Sequence, residues 1–270
     1  MRHEQGLGRG PRSPRGGVRA LQHCVPRRRR TRGTRRPRAS PRWPPINSQE
    51  NLPKLQAHLR GLTSLTESTV EVWDEVYRIK HPASADDLID EDDFDRDERL
   101  PYWAELWPSA LALARHLSKR DLAGTRVIEL GCGVGLPTLV ALARGAMVLA
   151  TDHYKAALDF TAHNASTNLD QEPDTALLDW RTPDIEDLGT FDLVFAADVL
   201  YERKNAAALA ELVPELLAPS GEAIFADPRR DEAPVFLRAI EKFGFENEIE
   251  EVTVQQGARV VKVLLHRLRR

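Results

Sequence analysis

Glu129, three glycines at alternate positions (Gly131, Gly133 and Gly135) and Asp152 make the chemically most informative pattern in this chain. Thr125 to Leu130 is a short β-branched and apolar run, expected to form a strand buried on both faces of a parallel sheet. Glycines directly after such a strand let the backbone turn sharply and come close to a ligand, because a Cβ there would fill the ligand's space. Pro137 falls in the first turn of a helix expected over Leu136 to Arg144, where its missing N–H costs nothing, and Gly145 stops that helix. A second strand, Met147 to Thr151, delivers Asp152 at 21 positions after Gly131. That is about the roughly 20-residue spacing at which nucleotide-binding units set an acid against ribose hydroxyls. The implied ligand is a nucleoside cofactor. A bare strand-to-helix connection is the plainer alternative, and the acids on both sides of the turn weigh against it.

The glycine spacing narrows the cofactor. A dinucleotide fingerprint, G-x-G-x-x-G, would need a glycine at 136, where the chain has Leu136. The pattern is E-x-G-x-G-x-G, and with Asp152 after it the segment resembles motifs I and II of the class I, seven-strand S-adenosylmethionine methyltransferases. A pyrophosphate favours the positive end of a helix dipole, whereas the methionine end of S-adenosylmethionine is a zwitterion that needs backbone partners and a nearby acid. The resemblance therefore implies that Glu129, Gly131, Gly133, Gly135 and Asp152 bind S-adenosyl-L-methionine.

Other stretches extend the resemblance over Pro101 to Leu265. Pro101-Tyr102-Trp103-Ala104-Glu105-Leu106-Trp107-Pro108-Ser109 is similar to the WP-S/G element that precedes motif I in family 16 of these enzymes, which implies that Trp107 covers the cofactor pocket. Trp103 reads either as core or as pocket wall. Asp179-Trp180, after a third strand at Thr175 to Leu178, matches the family's L-D-W element, implying an acid near the adenine amino group and an indole along the pocket wall; Trp180 could also be core. Phe191 to Ala197 should be the fourth strand, with Asp198-Val199-Leu200-Tyr201 at its carboxyl end, where open α/β sheets bind ligands. This loop resembles the D-x-x-[YF] signature of family 16, which includes protein-lysine methyltransferases, and implies an acceptor site of Asp198 and Tyr201. The alternative is that Asp198 caps the next helix and Tyr201 packs beneath it. Asp227-Pro228-Arg229-Arg230 looks most like the branch containing the electron-transfer-flavoprotein β-subunit lysine methyltransferase, although that branch commonly has glycine where this chain has Arg229. Related bacterial sequences also carry a nicotinamide-methylase-like description, which leaves a small amine as an alternative acceptor to a protein substrate.

Several chemistries are disfavoured. Base-amino methylation usually goes with a [DN]-P-P-[YF] loop, and the prolines are missing after Asp198. Pyrimidine carbon methylation needs a cysteine nucleophile, and Cys132 sits in the cofactor turn. The eight histidines are scattered with no C-x-x-C or H-x-x-x-H pair, so no metal site is expected. No G-x-S-x-G serine elbow occurs.

The 270 residues fit one α/β core with an appendage. Residues 1–46 hold fourteen Arg and one acid, Glu4, for a net +13, so the rest of the chain carries −16 within a total of −3. This Arg/Pro/Gly-rich segment has almost no apolar periodicity and is expected to be a disordered tail. It would be either untranslated upstream sequence or a nucleic-acid or acidic-partner binder; a non-enzymatic methyltransferase-like fold that works through this tail is the second functional class. Nucleic acid is otherwise not an expected partner. Residues 47–100 should form an embellishment of a short helix around Leu52, Leu55 and Leu59, a hairpin turning near Asp74 and an acidic linker, Asp86 to Glu98. Residues 101–270 would then be the S-adenosylmethionine-dependent methyltransferase domain that the resemblance implies. A helix through Ala156, Phe160 and Ala162 should end near Asn164 and Asn168. A helix over Ala206 to Leu217 is closed by Pro219-Ser220-Gly221. A fifth strand covers Glu222 to Ala226, and a last strand pair turns at Gln256-Gly257. Alternating strands and helices imply a mostly parallel sheet covered on both faces; the resemblance adds a Rossmann-like seven-stranded order of 3-2-1-4-5-7-6 with the seventh antiparallel. With two cysteines and no apolar run near 18 residues, the protein is expected to be cytoplasmic and off the membrane; a monomer is expected as well.

Overall fold

The computed structural model describes residues 52–89 and 100–270, all within one of the chain's two units, Pro44–Arg270. The basic segment and most of the acidic linker lie outside the described residues. Helix α1 (Leu52–His58) leads to strands β1 (Leu65–Val72) and β2 (Glu75–Pro82), an antiparallel pair with Val72 opposite Glu75. Short 3₁₀ turns at Asp86–Leu88 and Tyr102–Ala104 precede α2 (Pro108–Leu117). The core then runs β3 (Arg126–Leu130), α3 (Leu136–Ala143), β4 (Met147–Asp152), α4 (Lys155–Leu169), β5 (Asp174–Leu177), β6 (Phe191–Ala197), α5 (Arg203–Leu216), β7 (Leu217–Asp227), α6 (Ala233–Glu241), β8 (Glu246–Gln256) and β9 (Arg259–Arg269).

These strands form one seven-stranded sheet in the order β5-β4-β3-β6-β7-β9-β8. Counted within the sheet this is 3-2-1-4-5-7-6, as expected. β9 runs antiparallel to both neighbours, and the other pairs are parallel. Alternation along the strands feeds two cores. Val127, Leu193, Phe195 and Ile224 point into one with α2, α3 and the hairpin. Ile128, Val194, Ala196 and Phe225 point into the other with α5 and α6. Chain order reverses between β3 and β6, so the crevice at their carboxyl ends is where such a sheet binds ligands. Among the described residues no helix is long and apolar enough to cross a membrane.

Two local expectations are corrected. α4 does not end near Asn164; it runs to Leu169, one position beyond Asn168, the other asparagine expected at its end, and Asp170 follows with a left-handed φ of 53°. The side chain of Asn164 is buried and accepts from Lys80 N (2.8 Å) while donating to the carbonyls of Lys80 and Val134. Asn168 makes the equivalent pair with the backbone of Arg78. Asparagine's modest helix propensity is thus overridden by tertiary hydrogen bonds that hold β2 on the helix. Pro219-Ser220-Gly221 is likewise not a loop before the fifth strand. It lies inside β7 as an irregularity, where pairing jumps from Phe191–Leu217 to Leu193–Glu222.

Candidate active site

The turn after β3 is built on left-handed glycines, with φ of 78°, 54° and 88° at Gly131, Gly133 and Gly135. The N–H groups of Gly131 and Cys132 both donate to Thr151 O at 2.9 Å, which ties the turn to the end of β4. Asp152 completes the tie: Gly133 N donates to its Oδ2 at 3.0 Å, and Tyr154 N to its Oδ1 at 2.9 Å. The glycines are required by protein neighbours as well as by ligand space, which refines the sequence argument. A Cβ at Gly131 would stand 3.1 Å from Trp180 Cζ2 and from Val199 Cγ1. One at Gly133 would stand 3.2 Å from Trp103 O, and one at Gly135 only 2.6 Å from Thr161 Oγ1.

Electrostatic demand is concentrated beneath this turn. Glu129 is 1 % exposed and accepts a short hydrogen bond from the Thr138 hydroxyl in the first turn of α3. Burial pushes its carboxyl up to about 8, with the nearby Asp152 charge adding to the rise. Burial also lifts Asp152 to about 6, against the pull of its backbone donors. Cys132 is buried, and burial holds its thiol well above the usual range, a poor setting for a nucleophile.

Aromatic rings form the walls. Trp103 lies against Phe160 (5.4 Å between centroids) in a small core with Leu55, Leu59 and Leu88, and its surface also lines the cleft. Trp107 donates from Nε1 to Tyr102 O at 2.9 Å, and its ring meets the Tyr102 ring edge-on. Tyr102 in turn meets Tyr201 edge-on at 5.0 Å, so one aromatic row joins the segment before α2 to the loop after β6. Trp180 packs against the core shared with α5 and α6, and its Nε1 is buried with no hydrogen-bond partner. Beside it, Asp179 accepts from Arg181 N and lies 3.8 Å from His153 Nδ1.

Asp198 sits at the end of β6 with φ +57°, its N–H donating to Ala226 O on β7. Its carboxylate accepts from Arg230 Nε at 2.8 Å and from Ser109 Oγ at 3.5 Å. Arg230 also lies over the Trp107 ring, 5.8 Å from its centroid. Sequence reasoning missed this partnership, although Asp227-Pro228-Arg229-Arg230 at the end of the next strand was its available signal. Asp227 Oδ2 accepts from the N–H groups of Arg229 and Arg230 at 2.8 and 3.0 Å. Arg229 adopts φ +69°, a left-handed geometry that costs an ordinary residue about 1–2 kcal/mol and gives a physical reason for a glycine there in similar chains. Tyr201 is mostly enclosed, and burial raises its phenol above the usual range.

All ten residues singled out from the sequence, Trp107 to Tyr201, line one cleft of about 990 Å³ that opens to solvent. The arrangement offers a backbone cradle with two buried carboxyls at one end and an aromatic mouth with a charge pair at the other.

Comparison with known proteins agrees with this geometry. A family described as lysine methyltransferase matches residues 95–243. The chain is 36 % identical over 134 residues to the protein N-lysine methyltransferase METTL21A of Danio rerio, covering 47 % of this chain and 60 % of that protein. It is 30 % identical over 136 residues to the electron transfer flavoprotein beta subunit lysine methyltransferase of Xenopus laevis, covering 48 % and 53 %. The histone-arginine methyltransferase METTL23 of Xenopus laevis is 33 % identical over 110 residues, with 38 % and 47 % covered. The chain thus spans about half the length of these relatives. Among solved structures, the magnesium protoporphyrin IX methyltransferase of Synechocystis PCC 6803 superposes with a TM-score of 0.50 at 19 % identity, over 65 % of this chain and 83 % of that one, a likeness of fold.

Proposed function

The chain belongs to this lysine methyltransferase family, and from that premise we propose that it transfers a methyl group from S-adenosylmethionine to an amine, with a protein lysine side chain as the first choice. One observation carries the reading: the Gly131–Gly135 turn, Glu129 and Asp152 share a single cleft with Asp198 and Tyr201, at the point where the sheet reverses its order.

The residues fit the cofactor. Glu129 and Asp152 are buried carboxyls lifted toward neutrality, a setting that a bound cation and hydroxyl donors would relieve. The Asp152 carboxylate is held by backbone N–H groups, Gly133 on one oxygen and Tyr154 on the other, and a carboxylate's further lone pairs can accept from a ribose hydroxyl. Gly131 and Gly133 let the main chain approach the ligand. Asp179 and Trp180 stand at the proposed adenine end, and Trp107 covers the pocket. When bound, S-adenosylmethionine supplies a sulfonium methyl group open to in-line attack by an amine lone pair.

The chain's own contribution is alignment and exclusion of water. A lysine amine, with a reference pKa of about 10.4, arrives protonated. In this reading Asp198 draws the ammonium to the end of β6, and the Tyr201 and Tyr102 rings bound its approach. The proton leaves to Asp198 or to water. A cytoplasmic location belongs to the same reading, supported by the low cysteine content, and the enzyme is read as acting as a monomer.

The test has two steps. Calorimetry should first show binding of S-adenosylhomocysteine; preference for NAD overturns the reading. Pure protein is then incubated with labelled S-adenosylmethionine and fractionated host lysate. Label in a protein band supports a lysine acceptor, whereas label confined to the small-molecule fraction moves the reaction to a free amine.

A further inference from the structure

The Asp198 carboxylate is not a bare anion waiting for a cation. It is 7 % exposed and already holds the guanidinium of Arg230 at 2.8 Å. That guanidinium is placed by several contacts together. Asp227 Oδ2 gathers the N–H groups of Arg229 and Arg230 into a tight turn. The Asp198 N–H bond to Ala226 O fixes the two strand ends side by side, and the Trp107 ring supports the cation from beneath. Tyr102 joins Trp107 to Tyr201, so Arg230 stands behind two lining residues of the cleft, Asp198 and Trp107, which share it with Tyr201.

A lone buried carboxylate would hold an incoming ammonium tightly and favour its protonated form, the form with no lone pair to attack. A carboxylate already balanced by a guanidinium exerts a weaker pull. It can still orient the amine through a hydrogen bond, yet it opposes loss of the proton less. We propose that Arg230 is a positioning residue of the acceptor site, aimed by the Asp227 turn so that it offsets the charge of Asp198 and keeps the site from trapping its substrate as an ammonium ion. Arg230 acts through Asp198 and does not itself exchange a proton with the acceptor. The inference rests on the reading of this cleft as an amine-methylating site, and it deepens that reading by assigning the charge state in which the amine is received.

The experiment uses n-butylammonium, an analogue of the lysine side chain, with the full chain saturated by S-adenosylhomocysteine, and reads binding by ligand-observed NMR. No turnover is required, so its outcome is separate from the activity test of the function. Arg230→Gln should bind the analogue severalfold tighter than the wild type, because the ammonium then takes the place of the guanidinium beside the buried Asp198 carboxylate. Arg230→Lys should restore the wild-type affinity, and Asp198→Asn combined with Arg230→Gln should abolish the gain. Damage to the fold would weaken binding rather than strengthen it. Unchanged or weaker binding by Arg230→Gln, with affinity for S-adenosylhomocysteine intact, overturns the proposal. Should that variant fail to fold, the Nε–H resonance of Arg230 in the wild type gives the answer: it should shift as n-butylammonium saturates the site, and a resonance that stays in place overturns the proposal.

Discussion

The hydroxyl of Thr138, in the first turn of α3, donates to the carboxyl of Glu129, buried at the end of β3. It joins the two elements that flank the glycine turn, yet it leaves a carboxyl that burial raises to about 8. The folded state therefore binds a proton that the unfolded chain, with a reference carboxyl near 4.5, has already released. Stability from this group is fully present below about 4.5 and is lost as pH rises toward 8. Without cofactor, Glu129→Gln should flatten the decline in melting temperature between pH 5 and 8.5, with a differential effect on the order of a few kcal/mol at the alkaline end. Parallel curves for variant and wild type would refute the burial argument.

Asp152 is expected to contribute to cofactor affinity directly. Asp152→Ala should weaken S-adenosylhomocysteine binding by roughly 1–3 kcal/mol, the range for losing hydrogen bonds to a charged acceptor. Unchanged affinity in calorimetry would remove the ribose assignment. The same variant frees the N–H groups of Gly133 and Tyr154, so a melting curve should accompany the titration.

Gly135 and Gly257 offer a controlled comparison of strain and overlap. Both have positive φ, 88° and 57°, but a Cβ would collide with Thr161 at the first and meet nothing within 4 Å at the second. Gly257→Ala should cost about 1–2 kcal/mol from backbone geometry alone. Gly135→Ala should cost roughly 1–3 kcal/mol more, since the overlap adds to the strain. Denaturant unfolding of the two variants reads the difference directly.

Asn164→Ala should be among the more damaging polar substitutions in the chain. It leaves Lys80 N, Lys80 O and Val134 O without their side-chain partner; a buried orphan such as Val134 O costs about 1–3 kcal/mol, and the half-buried Lys80 groups less. Amide exchange should accelerate first in Ile79 to His81. Exchange rates equal to the wild type there would show that β1 alone keeps β2 in place.

Asp198→Ala and Tyr201→Phe should each lower turnover while leaving S-adenosylhomocysteine affinity within about twofold, because the proposal sets them against the acceptor rather than the cofactor. Full activity in both variants would remove them from the acceptor site. Lost cofactor affinity would move them to the other half of the cleft.

The parts legible in the sequence were those encoded locally. Glycines at 131, 133 and 135 between two short apolar runs announce a strand, a turn and a helix, and Asp152 falls where the next strand must end. The order of the sheet followed from the family resemblance, and the alternation of elements already implied its parallel character. What escaped were relationships between distant residues. Asp198 and Arg230 are 32 positions apart and meet because β6 and β7 end side by side, a juxtaposition no periodicity reveals. Asn164 was misplaced because its local preference favours helix ends, whereas its bonds to Lys80 span 84 positions. The tight fit of Gly135 against Thr161 was hidden for the same reason.

The two asparagines of α4 have a further consequence for how the molecule meets other chains. β2 has β1 on one side, and on the other it turns the N–H and C=O groups of Arg78 and Lys80 toward α4. Two side-chain amides at i and i+4 satisfy all four of these groups, as a neighbouring strand would. An exposed row of this kind is the usual template for strand addition and aggregation. Here an incoming strand would first have to displace both amides, so the helix shields the β2 edge of the hairpin from strand addition without adding a strand to it.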